Sequence, residues 1–146
     1  MRNFCKTLFV ILFFASCKKD TLITDDAPTI EFVSITPGSV VEYQDSITIT
    51  ISYKDANGDL GENDASVKNL FITDSRNNVT YQYRIKQLSP DNSDISIQGN
   101  LNVVLANTAI IDAADSTETF HYSIYVRDRA DNDSNTVTTS NIEVEK

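Results

Sequence analysis

The chain has no tryptophan, one histidine, two cysteines, three prolines and four glycines in 146 residues. Both cysteines, Cys5 and Cys17, lie within the first seventeen residues. Everything beyond them lacks a thiol, which excludes a disulfide, a cysteine nucleophile and a cysteine-based zinc site there. A domain of this length has core enough to fold without a disulfide. Four glycines do not furnish a glycine-rich phosphate loop, and no G-x-S-x-G elbow occurs. The single histidine, His121, falls on the outward phase of an alternating segment with no nucleophile near it in sequence, so it reads as a surface residue. Basic side chains are outnumbered 12 to 21, and that imbalance repels nucleic-acid phosphates and anionic lipid. Long apolar runs are missing as well. The longest, Leu8 to Ala15, falls well short of the roughly 20 residues that span a bilayer.

That run is nonetheless placed to mean something. Arg2 and Lys6 precede it, no acidic residue occurs before Asp20, and the small residues Ala15 and Ser16 follow. A charged start, a short apolar stretch and small residues before a cut predict a signal peptide over residues 1–16. Its removal leaves 130 residues with 10 basic and 21 acidic side chains, a net charge of −11. Residues 17–27 are polar apart from Leu22 and Ile23 and are expected to form a flexible tether. Residues 28–146 are expected to form one domain.

Phe14-Ala15-Ser16-Cys17 resembles the lipobox of bacterial lipoproteins, with Phe14 where leucine is usual. Lys18-Lys19-Asp20 is similar to the start of Bacteroidetes-type lipoproteins. The resemblance implies cleavage before Cys17, covalent lipid on its sulfur, and a protein anchored in the outer membrane and exposed at the cell surface. Each buried lipid methylene contributes about 0.8 kcal/mol, and stable attachment takes more than one chain.

Beyond Pro28 the dominant pattern is alternation with period two, the signature of half-buried strands. Ile47, Ile49, Ile51 and Tyr53 share one face. Val79, Tyr81, Tyr83 and Ile85 share another, as do Ile95, Ile97, Leu101, Val103 and Leu105, with Gly99 read as a bulge. Phe120, Tyr122, Ile124 and Val126 form a fourth set. Ile30 and Phe32 are out of phase with Val33 and Ile35, which predicts a kink or a change of sheet. Shorter strands are expected at Lys68–Thr73 and Thr136–Val144, and a loop at Ala106–Asp115. About seven such strands predict an all-β, two-sheet β-sandwich of immunoglobulin-like type, without the cysteine and tryptophan hallmarks of antibody domains.

The segment Tyr125 to Asn135 resembles the closing hairpin of bacterial immunoglobulin-like domains, D-R-A-G-N-x-S-N, with Asp131 in place of the glycine. Asp55-Ala56-Asn57-Gly58-Asp59-Leu60-Gly61 and Asp74-Ser75-Arg76 resemble small Bacteroidetes lipoproteins that carry a D-G-D-G-D-I/L-G loop. That resemblance implies the fold and the location but names no activity.

Asp55, Asn57 and Asp59 are spaced by two, as are oxygen ligands around calcium. An EF-hand is excluded, because its sixth and twelfth positions are Leu60 and Ser66 and its flanks are strands. In an immunoglobulin-like order the loops after the strands ending near Lys54 and Arg127 share a pole, which would bring Asp128, Asp131 and Asp133 near Asp55 and Asp59. The candidate calcium ligands are therefore Asp55, Asn57, Asp59 and Asp128. The alternative is turn chemistry, in which Asp and Asn side chains bond local backbone amides. Outward Phe71 and Tyr125 are a candidate stacking surface for sugars. The expected function is a non-enzymatic binding or spacer module at the cell surface, with an extracellular protein or glycan as partner. The alternatives are a carbohydrate-binding accessory of an outer-membrane uptake system and a structural subunit of an envelope complex.

Overall fold

The computed structural model describes residues 26–146. The expected signal peptide, Cys17 and most of the tether lie outside the described residues. Within them there are ten strands and no helix: β1 (Thr29–Thr36), β2 (Ser39–Val41), β3 (Ile47–Asp55), β4 (Leu70–Asp74), β5 (Thr80–Tyr83), β6 (Ile97–Leu105), β7 (Thr117–Phe120), β8 (Tyr122–Val126), β9 (Val137–Thr138) and β10 (Ile142–Glu145). Ten exceeds the expected seven because two of the expected strands are interrupted and β2 was not among those expected. β2 follows β1 after Pro37-Gly38, and the chain breaks between β7 and β8 at His121 and between β9 and β10 at Thr139–Asn141.

The hydrogen-bonded orders are β1-β3-β6, β2-β10-β7 and β5-β4-β8-β9. The last two run on into each other, since Phe120 pairs with Ile142 while Ser123 pairs with Thr138. Across the break Thr139 N–H donates to the Tyr122 carbonyl at 2.9 Å. The result is an all-β, sandwich-like fold of two layers. The phase change in the first strand takes the form of the expected kink, and the change of sheet follows after the strand ends. The pairing with β3 slips between Phe32 and Ser34, leaving Val33 exposed, and the chain then leaves β3 for a parallel pairing of β2 with β10.

Alternation explains the core because successive strand side chains point to opposite faces. Ile47, Ile49 and Ile51 from one layer meet Leu70, Ile72, Tyr122, Ile124 and Val126 from the other, all buried. Two expectations need correcting. Gly99 is not a bulge, because β6 pairs with β3 in unbroken register from Ile97 to Leu105. Gly99 instead lies opposite Tyr53, whose ring occupies the space a Cβ would need. Val79, Tyr81 and Ile95 are exposed rather than inward. β5 is the edge of the wider layer and its first residues overhang the three-stranded one, while Ile95 precedes β6.

The direction of β3 and β8 defines two poles. Both end at the pole of the acidic loops, whereas β4 ends at the other. There Arg76 closes the sandwich. Its guanidinium donates to both oxygens of Asp74 (3.1 and 2.7 Å), to Glu118 (2.7 Å), to the Ala109 carbonyl (2.9 Å) and to Thr108 Oγ1 (3.2 Å). It also lies 3.7 Å over the Phe120 ring.

Candidate functional site

The expected juxtaposition of the two acidic loops is present. Leu60 and Asp128 form an isolated antiparallel bridge, and Arg129 N–H donates to the Asp59 carbonyl at 3.2 Å. Leu60, at the position that ruled out an EF-hand, is a core residue that plugs this end of the sandwich. The chain enters the fold at the same pole, where the Asp26 carbonyl accepts from Asn57 Nδ2 at 3.4 Å.

The carboxylates differ in what they do. Asp55 is 1% exposed; its Oδ1 accepts from Gly58 N–H at 3.2 Å and its Oδ2 from Leu60 N–H at 2.7 Å. Asp128 is 5% exposed; Oδ1 accepts from the N–H groups of Ala130 (2.9 Å) and Asn132 (2.8 Å), and Oδ2 from Asn132 Nδ2 (3.0 Å). Each satisfies loop amides that burial would otherwise leave unpaired. Asn57 Oδ1 accepts from Asp59 N–H at 3.4 Å. Asp133 is drawn away from the group by Arg127, at 2.6 and 3.0 Å. Asp131 is exposed and takes φ 65° at the tip of the hairpin, where the resembling sequences have glycine.

Asp59 is the exception. Its Oδ1 is buried without a hydrogen-bond partner among the described residues. Burial pushes its pKa above the ordinary 3.8, and the charges of Asp128 and Asp55 push it the same way, against a smaller opposing pull from Arg129. Asp59 opens onto a cleft of about 400 Å³ shared with Asn57, Asn92, Asp94 and Arg129. A carboxylate in this position either holds a proton more readily than usual or gains from a cation. Among the described residues no set of three or more histidine, cysteine, aspartate or glutamate side chains is arranged to hold a metal ion. The orientation of Asp55 and Asp128 toward their own loops accounts for that.

Sequence reasoning passed over the parts that fasten the loops. Arg129 Nη1 donates to the Gly61 carbonyl at 2.9 Å, and the buried Ser89 hydroxyl donates to the Gly58 carbonyl. Gly58 and Gly61 take φ of 75° and 92°. A Cβ on Gly58 would strike the Ile95 carbonyl, and one on Gly61 the Lys86 carbonyl. The glycine spacing was the available signal for this close approach.

Phe71 and Tyr125 lie on the outward side of neighbouring strands β4 and β8. Their rings stack on each other at 4.6 Å, 9° from parallel, and the Arg127 guanidinium lies 5.5 Å from the Phe71 centroid. Phe71 is thus held between Tyr125 and Arg127, and Tyr125 has one face against Phe71. His121 sits half-buried at the β7–β8 break, where its backbone exchanges hydrogen bonds with Ser75. Comparison of the chain with protein-family models, with curated proteins and with solved structures finds no match in any of the three.

Proposed function

We propose that the chain is a lipid-anchored protein of the cell outer membrane whose folded part is a non-enzymatic, immunoglobulin-like module that binds or spaces a partner outside the cell. The observation that carries the reading joins sequence and fold. The acylation-type Cys17 lies nine residues before Asp26, and Asp26 sits at one pole of an elongated sandwich. A nine-residue strand such as β3 is about 30 Å long at ~3.3 Å per residue, so a domain attached at this pole holds its other end well clear of a bilayer. The strand order supports the immunoglobulin-like part. β1-β3-β6 face β5-β4-β8-β9, with β2 crossing over to pair with β10. The test is Cys17→Ser. Wild type is expected in the membrane fraction after a salt wash, with acyl chains seen by mass spectrometry, and the variant in the soluble fraction. A serine variant that stays with washed membranes refutes the anchor.

A calcium ion at Asp59 belongs to the same proposal. The observation in its favour is the buried, unpartnered Oδ1 beside two other carboxylates. A ligand that binds only the native state stabilises it by about 2.7 kcal/mol at a hundredfold excess over Kd. Thermal unfolding in excess calcium is therefore expected at a higher temperature than in chelator. Identical melting temperatures remove calcium from the proposal.

A further inference from the structure

β6 is the outer edge of the three-stranded layer. One side of it pairs with β3 along its whole length. On the other side, no backbone hydrogen bond reaches another segment among the described residues. Free edges of this kind recruit further strands unless charge, proline, a bulge or shortness prevents it. The other edges have such protection. β1 carries Glu31 and the slip after Phe32, and the Asn135 side chain takes both the N–H and the carbonyl of Ile30 at 2.9 Å each. β5 and β7 have four residues each, β2 three and β9 two. β6 has nine, Ile97-Gln98-Gly99-Asn100-Leu101-Asn102-Val103-Val104-Leu105, with no charge and no proline.

Alongside this edge lies a cleft of about 340 Å³. One wall is Tyr83, Ile85 and Leu88; the other is Leu101 and Val103, with Val104 at the rim 55% exposed. The volume is at the small end of the roughly 300–1,000 Å³ of ligand pockets. It suits alternate side chains of an extended strand rather than a bulky ligand.

The charge around the cleft runs against that of the chain. Eight lysines and arginines occur among the described residues. Arg76, Arg127 and Arg129 have a carboxylate within 4.0 Å, and Lys146 donates to the Ala113 carbonyl. The other four are Lys54, Lys68, Arg84 and Lys86. Arg84 and Lys86 line the cleft, and Lys54 pairs with Gln98 at the start of β6. Lys68 precedes Asn69, whose N–H donates to the Tyr83 carbonyl. Of the nearby acidic groups, Glu62 accepts from the amides of Asn63 and Asp64, while Asp64 accepts from Ser66 and feels the charge of Arg84, which also donates to the Asn63 carbonyl. A strongly acidic protein thus sets two cations, Arg84 and Lys86, in the cleft beside the one long unprotected edge among its described residues.

We propose that β6 and its cleft dock an extended acidic segment of a protein partner. The segment adds a strand to β6, places alternate apolar side chains in the cleft, and sets its carboxylates against Arg84 and Lys86. Main-chain hydrogen bonds supply affinity in such strand addition, and the alternate side chains supply specificity. This deepens, and rests on, the reading of the domain as a binding module.

The test is fluorescence anisotropy of a labelled, acetylated octapeptide of alternating valine and glutamate, titrated with the full chain in detergent. Saturable binding is expected. A valine–lysine octapeptide is expected to bind at least tenfold more weakly, as is the first peptide to the Arg84→Glu/Lys86→Glu variant. N-methylation of alternate peptide amides should abolish binding in one of its two phases, the one that blocks the amides facing β6. Should the double variant not fold, Lys86→Glu at its exposed position carries the charge arm, with at least threefold weakening. No saturable signal, equal binding of both peptides, or full binding of both N-methylated forms overturns the proposal. So does a dimer in sedimentation that Val104→Lys dissociates, because a second copy would then own the edge. These failures are distinct from failure of the binding-module reading, for which cross-linking in intact cells would find no partner at any surface.

Discussion

Replacing Arg76 with methionine removes the cation from the far pole while keeping a chain of similar reach over Phe120. What it leaves behind sets the magnitude. The Asp74 side chain is 0% exposed and that of Glu118 11%, and both point at the vacated position. Asp74 keeps one partner, the Arg76 backbone N–H at 2.9 Å, and Glu118 keeps the amides of Ile111 and Asp112. Neither regains a countercharge. Breaking a buried ion pair from one side costs about 3–5 kcal/mol, because a desolvated charge is left uncompensated. Native domains hold only about 5–15 kcal/mol in all, so the variant should be marginal. At this chain length each kcal/mol corresponds to about 3–6 °C, which puts the fall in melting temperature at about 10–30 °C. Calorimetry and urea titration followed by circular dichroism would measure it. The loss should persist in 1 M salt, since screening acts mainly on exposed pairs. A loss below about 1 kcal/mol, the range of exposed ion pairs, or one that vanishes in high salt, would refute the account of Arg76 as a buried clamp.

Two other substitutions separate the roles at the acidic pole. The raised proton affinity of Asp59 in the folded state means that its contribution to stability falls as pH rises through 3.8 toward the folded value, and is a net cost above it. In chelator, Asp59→Asn is therefore expected to melt higher than wild type at pH 7 and no differently at pH 3, and to lose any response to calcium; destabilisation at pH 7 would contradict this. Gly61→Ala must take φ 92° and meet the Lys86 carbonyl, so with a left-handed cost of about 1–2 kcal/mol plus the clash it should lose at least about 2 kcal/mol in urea unfolding. Gly38→Ala has open space around it and is the control; equal losses would refute the close-approach argument.

How much of this was legible beforehand follows from where each residue lies. Period two reads correctly for Ile47–Ile51 and Tyr122–Val126 because β3 and β8 are central in their sheets and their inward residues are buried. The same pattern misleads at Val79 and Tyr81, at the start of the edge strand β5, and at Ile95, which precedes β6. The meeting of the two acidic loops was legible because strand direction alone assigns loops to poles. The use of the carboxylates was not, since Asp-x-Asn-x-Asp suits both a cation and a set of turn amides. Only the loop path shows Asp55 turned onto Gly58 and Leu60 while Asp59 is left without a partner. Arg76 was invisible as a clamp because Glu118 lies 42 residues away along the chain and no local pattern links them.

The parallel pairing of β2 with β10 has a mechanical meaning. Thr29 begins at the acidic pole, and β10 runs away from that pole to end at Glu145. A pull between these two ends slides β2 and β10 past each other along their length. The three residue pairs that join them, Ser39–Glu143, Val40–Val144 and Val41–Glu145, then carry the load together in shear instead of opening one after another like a zip. The crossing of the first strand from one layer to the other thus makes a short, locally weak strand into the fastening that resists traction along the long axis of the domain.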